Sequence, residues 1–525
     1  MPIFPSQAKS KSQTSQSSPP KRSQKRAKAA APAAWNVRRF EAAETNRLNS
    51  AHWRKANDQS LNSELAFELK TLRARATFEI SRNPILEGVV RDFANDVCGE
   101  MGPWLKVRTA NDRYKAALEG LYKWWFRRPE ISGQLSGADC VRIWVRRLLD
   151  SGEYLAQRVS RRVNPGPVAF RLKLLHPRRL DTPAASSSDP DVCLGVRRTR
   201  DGEPISYYIS EPMRFGAYEL AGIDFREYSA AQIIHRFITI EEEQARGYPW
   251  LAPSLPVTAD VRDFDAQVLD ACRAAADQAV VWYTDHPDSP YLEVNESTEV
   301  ERRMQQTGPP GWKPMQMKPE QPSLNHVEYR SDRLREIGRP IGMPLMKIRL
   351  GSEQHNFASA RFDNEIYKQG VRCVRAWLAY GTLEECVSVL QREGELYAAA
   401  NPDWKYAALA RRPDDVELSF GWQPLVAVDA DKDAQDEERR LQGGTLTYED
   451  ACDRNGGDQV NNIQSIARTI RMYKDAGVPL PAWAEKWGDP ANRERIAIEA
   501  AKNGSGKPRD RARRLVKARR RPIQP

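Results

Sequence analysis

Apolar positions in the first third of the chain recur at helical spacing. Residues 61–75 are dominated by helix formers, and Asn83-Pro84 reads as the cap and first residue of a further helix. Within it Ile85, Val89, Phe93 and Val97 fall at i, i+4, i+8 and i+12, the spacing of one buried face. Two more helices are predicted, over 114–126 with Leu118, Leu121 and Trp125 inward, and over 137–158 with Val141, Trp144, Leu148 and Leu149 inward. The pattern then changes to strand-like runs at 170–175 and 193–209, where Asp201-Gly202 marks a turn between two strands.

Helical spacing returns in a long element beginning near Pro256. Val261, Phe264, Val268, Cys272, Ala275 and Ala279 share one face, while Asp263, Gln267, Asp270, Ala274 and Asp277 share the other. Seven prolines within 286–322 rule out one long helix there. Residues 324–337 resume a helix. Residues 357–397 form one amphipathic pattern through Phe362, Ile366, Val374, Leu378 and Val387, with Gly370 and Gly381 as bends. The fold class expected is mixed α+β, predominantly helical.

Composition changes this picture at the ends. The 525 residues are 40% apolar, enough to build cores, yet 1–34 holds too few large apolar residues to order itself, and structure is expected from Trp35 onward. Residues 1–34 carry seven Lys or Arg and no acid; residues 502–525 carry ten against Asp510 alone. The ends thus hold +7 and +9 of a total of +11, which leaves −5 for residues 35–501. A protein that grips nucleic acid places its basic patch on the folded surface, because each neutralised phosphate releases a counterion. Basic tails on an acidic body fit contact with DNA without tight binding, or simply solubilising ends. No run of about 18 apolar residues predicts a membrane span, and the N-terminus lacks the apolar core of a secretory signal.

No catalytic constellation is visible. Gly504-Ser505-Gly506-Lys507 lacks the upstream glycine, the preceding strand and the following apolar helix of a phosphate loop. Asp263, Asp270 and Asp277 stand about 10 Å apart along a helix, too far to share one metal ion. Seven cysteines without a CxxC pair, and only six histidines, point to reduced, mostly buried thiols and to no metal or cofactor. His176 and His235, among apolar neighbours, read as structural. Trp124, Trp125, Trp144, Trp282, Trp377 and Trp422 read as packing and interface anchors. A DNA-processing enzyme, a nuclease or recombinase with basic tails, would need a carboxylate or nucleophile cluster in the folded body.

One segment is more specific than all of these. Residues 339–361, RPIGMPLMKIRLGSEQHNFASAR, resemble the tunnel loop and following long helix of lambda-type bacteriophage portal proteins. The family's wording there is Gly-x-Pro, a short polar loop and Asn-aromatic-small-Ser-Ala-Arg; Gly342, Pro344, Asn356, Phe357, Ser359, Ala360 and Arg361 stand in those places. LRARATFEISRNP, LLHPRRLD, LGVRRTRDGEPISYYI and RGYPWLAP resemble the family as well, as does FGWQPLVAVDADKD, in which Ala430 replaces a usual proline. The resemblance spans about 57–480.

It implies a portal fold with wing, stem, clip and crown regions and subunits arranged in a ring. The chain would divide into a disordered basic tail (1–34), a wing of helices and antiparallel strands (35–250), a first stem helix (251–285), a clip (286–322) and a second stem helix (323–342). The tunnel loop (343–356), a long wing helix (357–400), the wing end and crown (401–501) and a second disordered basic tail (502–525) complete it. The implied role is a homo-oligomeric ring, typically of twelve subunits, at one capsid vertex, through which double-stranded DNA is packaged and ejected. Its implied partners are the terminase large subunit, head-completion or adaptor proteins, and major capsid and scaffolding proteins, with assembly in the host cytoplasm and no enzymatic activity. The rivals to this reading are the DNA-processing enzyme with basic tails and a non-channel structural protein of the virion. Lys347, Arg349, Gln354, His355 and Asn356 would touch passing DNA. In a ring, Asp263, Asp270 and Asp277 would each become an acidic layer lining the channel.

Overall fold

The computed structural model describes residues 51, 58–161, 168–211, 224–276, 280–283, 285, 313–316, 324–351, 357–426, 429–457, 459–481 and 483. Both basic ends, the expected start at Trp35 and most of 286–322 lie outside them. The chain opens with helices α1 (Leu61–Arg82) and α2 (Pro84–Cys98). Asn83 caps α2 as its sequence promised, its side chain accepting from the Ile85 and Leu86 amides, with Pro84 in the first turn. Strand β1 (Trp104–Arg108) leads to α3 (Asp112–Phe126) and α4 (Gly137–Asp150), the latter opened by a reciprocal Ser136–Asp139 capping box.

The helix expected over 137–158 ends at Asp150, and Glu153–Ser160 is strand β2. Gly152 causes the change. It holds φ +81°, and a Cβ there would collide with the Tyr248 backbone, so the chain turns sharply where only glycine fits. The next strands are β3 (Phe170–Leu175), β4 (Val192–Cys193), β5 (Val196–Arg198), β6 (Pro204–Ser210), β7 (Phe225–Ser229) and β8 (Ile233–Phe237). Two antiparallel sheets result, ordered β3-β2-β8 and β4-β5-β6-β7. The Asp201-Gly202 turn joins β5 to β6 as expected, with Gly202 at φ +86°.

Helix α5 (Ser254–Ala276) follows, then a two-stranded ribbon of β9 (Val280–Tyr283) and β10 (Lys313–Gln316), then α6 (Leu324–Gly338) and the short α7 (Leu345–Arg349). The helix expected through 285 has therefore given way to a strand by Val280: the run Val280-Val281-Trp282-Tyr283 is β-branched and aromatic, and it pairs with 313–316. Helix α8 (Phe357–Leu378) runs through a π-turn at Ala379–Leu383 into α9 (Glu384–Ala400). Gly381 sits in that π-turn, as the expected bend; Gly370 lies inside α8, which continues unbroken to Leu378. Strand β11 (Glu417–Gly421) returns to pair with β1, and α10 (Ala430–Gln442), α11 (Tyr448–Arg454) and α12 (Gln459–Asp475) close the described chain. Ala430 takes the first helical position of α10 behind an Asp429 cap, a place where the family's proline is equally at home.

The main core joins α2, α3, α4, α8 and α9. Trp125 stacks on Phe170 at 5.3 Å, Trp144 on Tyr154 at 5.3 Å, and Phe93 meets Tyr367 edge-on at 6.3 Å. The single apolar pattern expected along 357–397 is two patterns. Val374 and Leu378 are buried, whereas Phe362 is 67% and Ile366 46% exposed on another side of the same helix.

A fully buried carboxylate ties these parts together. Glu153 accepts from the Arg246 Nη2 at 2.6 Å, lies 2.9 Å from the Arg73 Nη2 and 3.1 Å from the His235 Nε2, and accepts the Gly247 amide at 2.9 Å. Arg246 also donates to the carbonyls of Pro177, Leu180 and Leu194, and Arg73 to those of Ser151 and Gly247. Burial by itself pushes the Glu153 carboxyl upward, but Arg246 and Arg73 outweigh it and hold the group well below the usual carboxylate range. Burial pushes the His235 imidazole below its ordinary value despite the adjacent carboxylate, and burial takes His176 down to about 3. Both histidines are structural, as expected.

Two predictions follow from this centre. Arg246→Met leaves a buried carboxylate short of its main partner and should cost about 3–5 kcal/mol, read from the urea unfolding midpoint. Histidines kept neutral in the fold protonate below about pH 6.5 once unfolded, so the unfolded state binds more protons there and stability declines as the pH is lowered. The slope between pH 6.5 and 5 should be flatter in His235→Gln. Glu153, with its lowered folded value, adds a further loss only below about pH 4.3.

Candidate functional site

Of the candidate site residues singled out from sequence, Asp263, Asp270, Lys347 and Arg349 lie among the described residues, the first two on α5, which pairs with α6, and the other two on α7. Helices α5 and α6 run antiparallel. The Ser254 hydroxyl donates to the Ile337 carbonyl at 2.9 Å, Arg330 meets Asp265 at 3.2 Å, and Phe264 packs against His326 and Tyr329 with ring centroids 5.3 and 4.9 Å away. Burial fades along the pair. Thr258 and Val261 on α5 and Leu334 and Ile337 on α6 are buried, whereas Phe264, Val268 and Cys272 are half-buried and Leu269 is exposed. The expected apolar face of α5 thus exists, and its distal half is thinly covered by α6.

Asp263 and Asp270 project from the opposite face, with side chains 69% and 74% exposed. Each has an arginine beside it, Arg262 at 3.6 Å and Arg273 at 3.2 Å. Arg262 is more closely engaged with Glu79 of α1 at 2.6 Å, a bond that anchors α5. Along α5, Asp260, Asp263, Asp265 and Asp270 face only two arginines, while α6 carries three carboxylates and three arginines. The pair is therefore weakly acidic. Asp277 lies outside the described residues.

Beyond α6, Gly338 leaves no room for a side chain against Ile348 and the Met343 carbonyl, and Gly342 takes a left-handed φ of +66°. This double constraint turns the chain back into α7, placing Lys347 and Arg349 on a short helix. The Lys347 Nζ stands 2.6 Å from Asp96 Oδ2 and 4.4 Å above the Tyr367 ring, and the Tyr367 hydroxyl donates to the same oxygen at 2.6 Å. Burial pushes the Tyr367 phenol far up, and Asp96 adds to it, so the hydroxyl stays protonated. Arg349 donates to the Ser331 hydroxyl at 3.1 Å. Leu350, at φ +52° and 77% exposed, ends α7 at the edge of the polar loop. Gln354, His355 and Asn356 lie outside the described residues.

Lys347 and Arg349 thus tie α7 to α2, α6 and α8. Asp96 and Tyr367 were not singled out from sequence. Nothing local marks them, since Asp96 meets Lys347 from 251 residues away. Among the described residues no group of His, Cys, Asp or Glu assembles as a metal site would need, and no helix is long and apolar enough to cross a membrane.

Residues 46–375 match the family model described as phage portal protein, lambda family. Three solved structures contain chains similar to this one. They are the neck of an empty GTA particle computed with C6 symmetry (18% identity, 74% of this chain and 94% of that chain, TM-score 0.41) and the virion of a native gene transfer agent particle (16%, 74% and 93%, 0.39). The third is the neck of a native GTA particle computed with C12 symmetry (16%, 74% and 94%, 0.40). No curated protein matches the chain.

Asp96→Ala strips both Lys347 and Tyr367 of their acceptor. It should lower stability by about 1–3 kcal/mol and speed trypsin cleavage after Lys347 and Arg349 several-fold. Peptide mapping of a timed digest reads the second effect.

Proposed function

Because this chain belongs to the lambda family of phage portal proteins, we propose that copies of it form a ring, typically of twelve, around a channel for double-stranded DNA at one vertex of a capsid. The family is a structural one, and the chain is not an enzyme. The observation that carries the reading is the family match, which runs from the approach to α1 through α5, α6, α7 and most of α8. In this reading α5 and α6 are the stem, the β9–β10 ribbon belongs to the clip, and α7 with the residues after it is the tunnel loop. The half-covered α5–α6 pair supports it, since a helix pair with exposed apolar positions on one side and carboxylates on the other suits a wall shared with neighbours.

DNA in the channel presents one phosphate charge per about 1.7 Å of duplex axis. Carboxylate layers at Asp263, Asp270 and Asp277 would repel it over roughly the 8 Å screening length, so the duplex slides without adhering. Gln354, His355 and Asn356 would make the brief polar contacts, with Lys347 and Arg349 holding the loop's base. A terminase motor docked on the ring would supply ATP hydrolysis. Head-completion or adaptor proteins would bind at the clip, and major capsid and scaffolding proteins around the wing, with assembly in the host cytoplasm.

Negative-stain electron microscopy with mass photometry of the full-length chain tests the ring. The expected particle has a central hole and the mass of about twelve chains of 59.7 kDa. A discrete dimer or tetramer that cleaves DNA would sink the reading. Asp263→Lys with Asp270→Lys should slow DNA packaging in a reconstituted assay, and an unchanged rate would remove the acidic-layer account.

A further inference from the structure

Helix α8 has three distinct sides. Ala360, Asn364, Tyr367, Val371, Val374 and Leu378, spaced four, three, four, three and four, are buried in the main core. Arg361, Lys368, Arg372 and Arg375 line a cleft of about 1110 Å³ whose far wall is α10 and α11, with Arg361 2.9 Å from Asp433 across it. On the third side Phe362, Ile366, Gly370, Cys373 and Trp377 recur at four, four, three and four. Phe362 is 67% exposed and Ile366 46%; Cys373 is exposed and Trp377 half-buried against Tyr154. By the 3.6-residue turn this stripe lies about 120° from the buried one.

A helix on the surface of a globular protein normally carries one apolar stripe. Here a second one, about 22 Å long at ~1.5 Å per residue, is covered only at its Trp377 end among the described residues. Phe362 alone presents roughly 130 Å² at ~200 Å² per ring side chain, and the exposed Ile366 and Cys373 continue the patch. Gly370 is the independent sign. It sits mid-helix, where glycine is the least favourable residue after proline, it has no positive φ, and nothing stands within 4 Å of the place a Cβ would occupy. No contact among the described residues calls for it. A missing side chain at the centre of an apolar stripe is what a closely approaching backbone requires.

We propose that this stripe is a seam on which a helix of a second copy of the chain packs, with its closest approach over Gly370. The proposal rests on the ring reading above and names one of its contact faces. Two features favour a second copy as the occupant. A stable interface takes about 800 Å² from each partner, more than the stripe offers by itself, and the same chain leaves another helical stripe open. On α1, Phe67 (87% exposed) and Phe78 (46%, with the Arg82 guanidinium 4.3 Å over its ring) flank the small Thr71 and Ala74 at spacings of four, three and four. Its border carries the exposed bases Arg75 and Lys70, the latter also 2.6 Å from Asp181, with Glu64 and Glu68 near Phe67, and the border of the α8 stripe carries the exposed acid Asp363. Two unlike, complementary patches on one chain make a heterologous contact, the kind that generates a ring where its rotation closes and a filament where it does not.

The natural thiol of Cys373 reports on the seam directly. Full-length protein is labelled with a maleimide in its assembled and dissociated states, and the rate at Cys373 is read by peptide mass mapping. Labelling is expected at least tenfold slower in the assembly. Ile366→Glu should reduce assembly at least tenfold while leaving the urea midpoint of the monomer unchanged. A ring in which Cys373 labels at the monomer's rate sinks the seam and leaves the ring standing. An oligomer that is not a ring but protects Cys373 upholds the seam and sinks the ring. Protection already present in the monomer assigns the stripe to the chain's own residues and overturns the proposal, as does a wild-type chain that never assembles or an Ile366→Glu chain that assembles normally.

Discussion

The position of everything described above depends on one buried charge cluster. Glu153 sits immediately after the Gly152 turn and draws Arg73 from α1, His235 from β8 and Arg246 from the segment before α5 onto one carboxylate. The two guanidiniums then satisfy five backbone carbonyls, at Ser151, Pro177, Leu180, Leu194 and Gly247, that irregular chain would otherwise bury unpaired. A buried ion pair is a weak source of net stability, because desolvation offsets much of the attraction. Its value here is geometric. Helix α1, the paired strands β2 and β8, the segments around Pro177, Leu180 and Leu194, and the approach to α5 are fixed to one another by groups that have no other place to go.

That fixed point is also where α5 begins. Gly247 packs so tightly on the Gly152 carbonyl that neither residue tolerates a side chain, and the Trp250 amide donates to the Leu148 carbonyl at 3.2 Å. Helix α5 leaves from this anchor, α6 returns alongside it, and α7 is clamped by Asp96 and Tyr367. Tyr367 belongs to α8 and packs on Phe93 of α2, so α7 is tied to both α2 and α8.

Local chemistry was legible in the sequence, and long-range company was not. Asn83-Pro84, Asp201-Gly202, the interrupted helix at Gly381 and the span of α6 each depend on a few adjacent residues, and each was readable. The break at Gly152 was missed because Val141 to Leu149 set a helical rhythm that 153–158 does not obviously violate; the reason for the turn lies in Tyr248, almost a hundred residues on. The strand at Val280 was hidden by alanines that extend the α5 pattern. Periodicity likewise merged the two stripes of α8, because spacings of three and four describe each equally well and say nothing of what covers them. Of the candidate site, Asp263, Asp270, Lys347 and Arg349 could be named in advance, but Asp96, Tyr367 and Glu153 became visible only when distant segments met.

The arginines beside the α5 carboxylates refine what an acidic channel wall would be. Asp270 and Arg273 stand 3.2 Å apart on one helix face with both side chains mostly exposed, so each largely cancels the other's field beyond a few ångströms. Asp263 is placed differently. Its neighbour Arg262 is 3.6 Å away but turned toward Glu79 at 2.6 Å, so that guanidinium is already shared with another carboxylate. In the proposed ring the Asp263 layer would therefore present more uncompensated negative charge than the Asp270 layer, seven residues along the same helix. Repulsion of a passing duplex would then be graded along the wall, stronger near the anchored end of α5, where Glu79 holds Arg262, and weaker toward the β9–β10 ribbon.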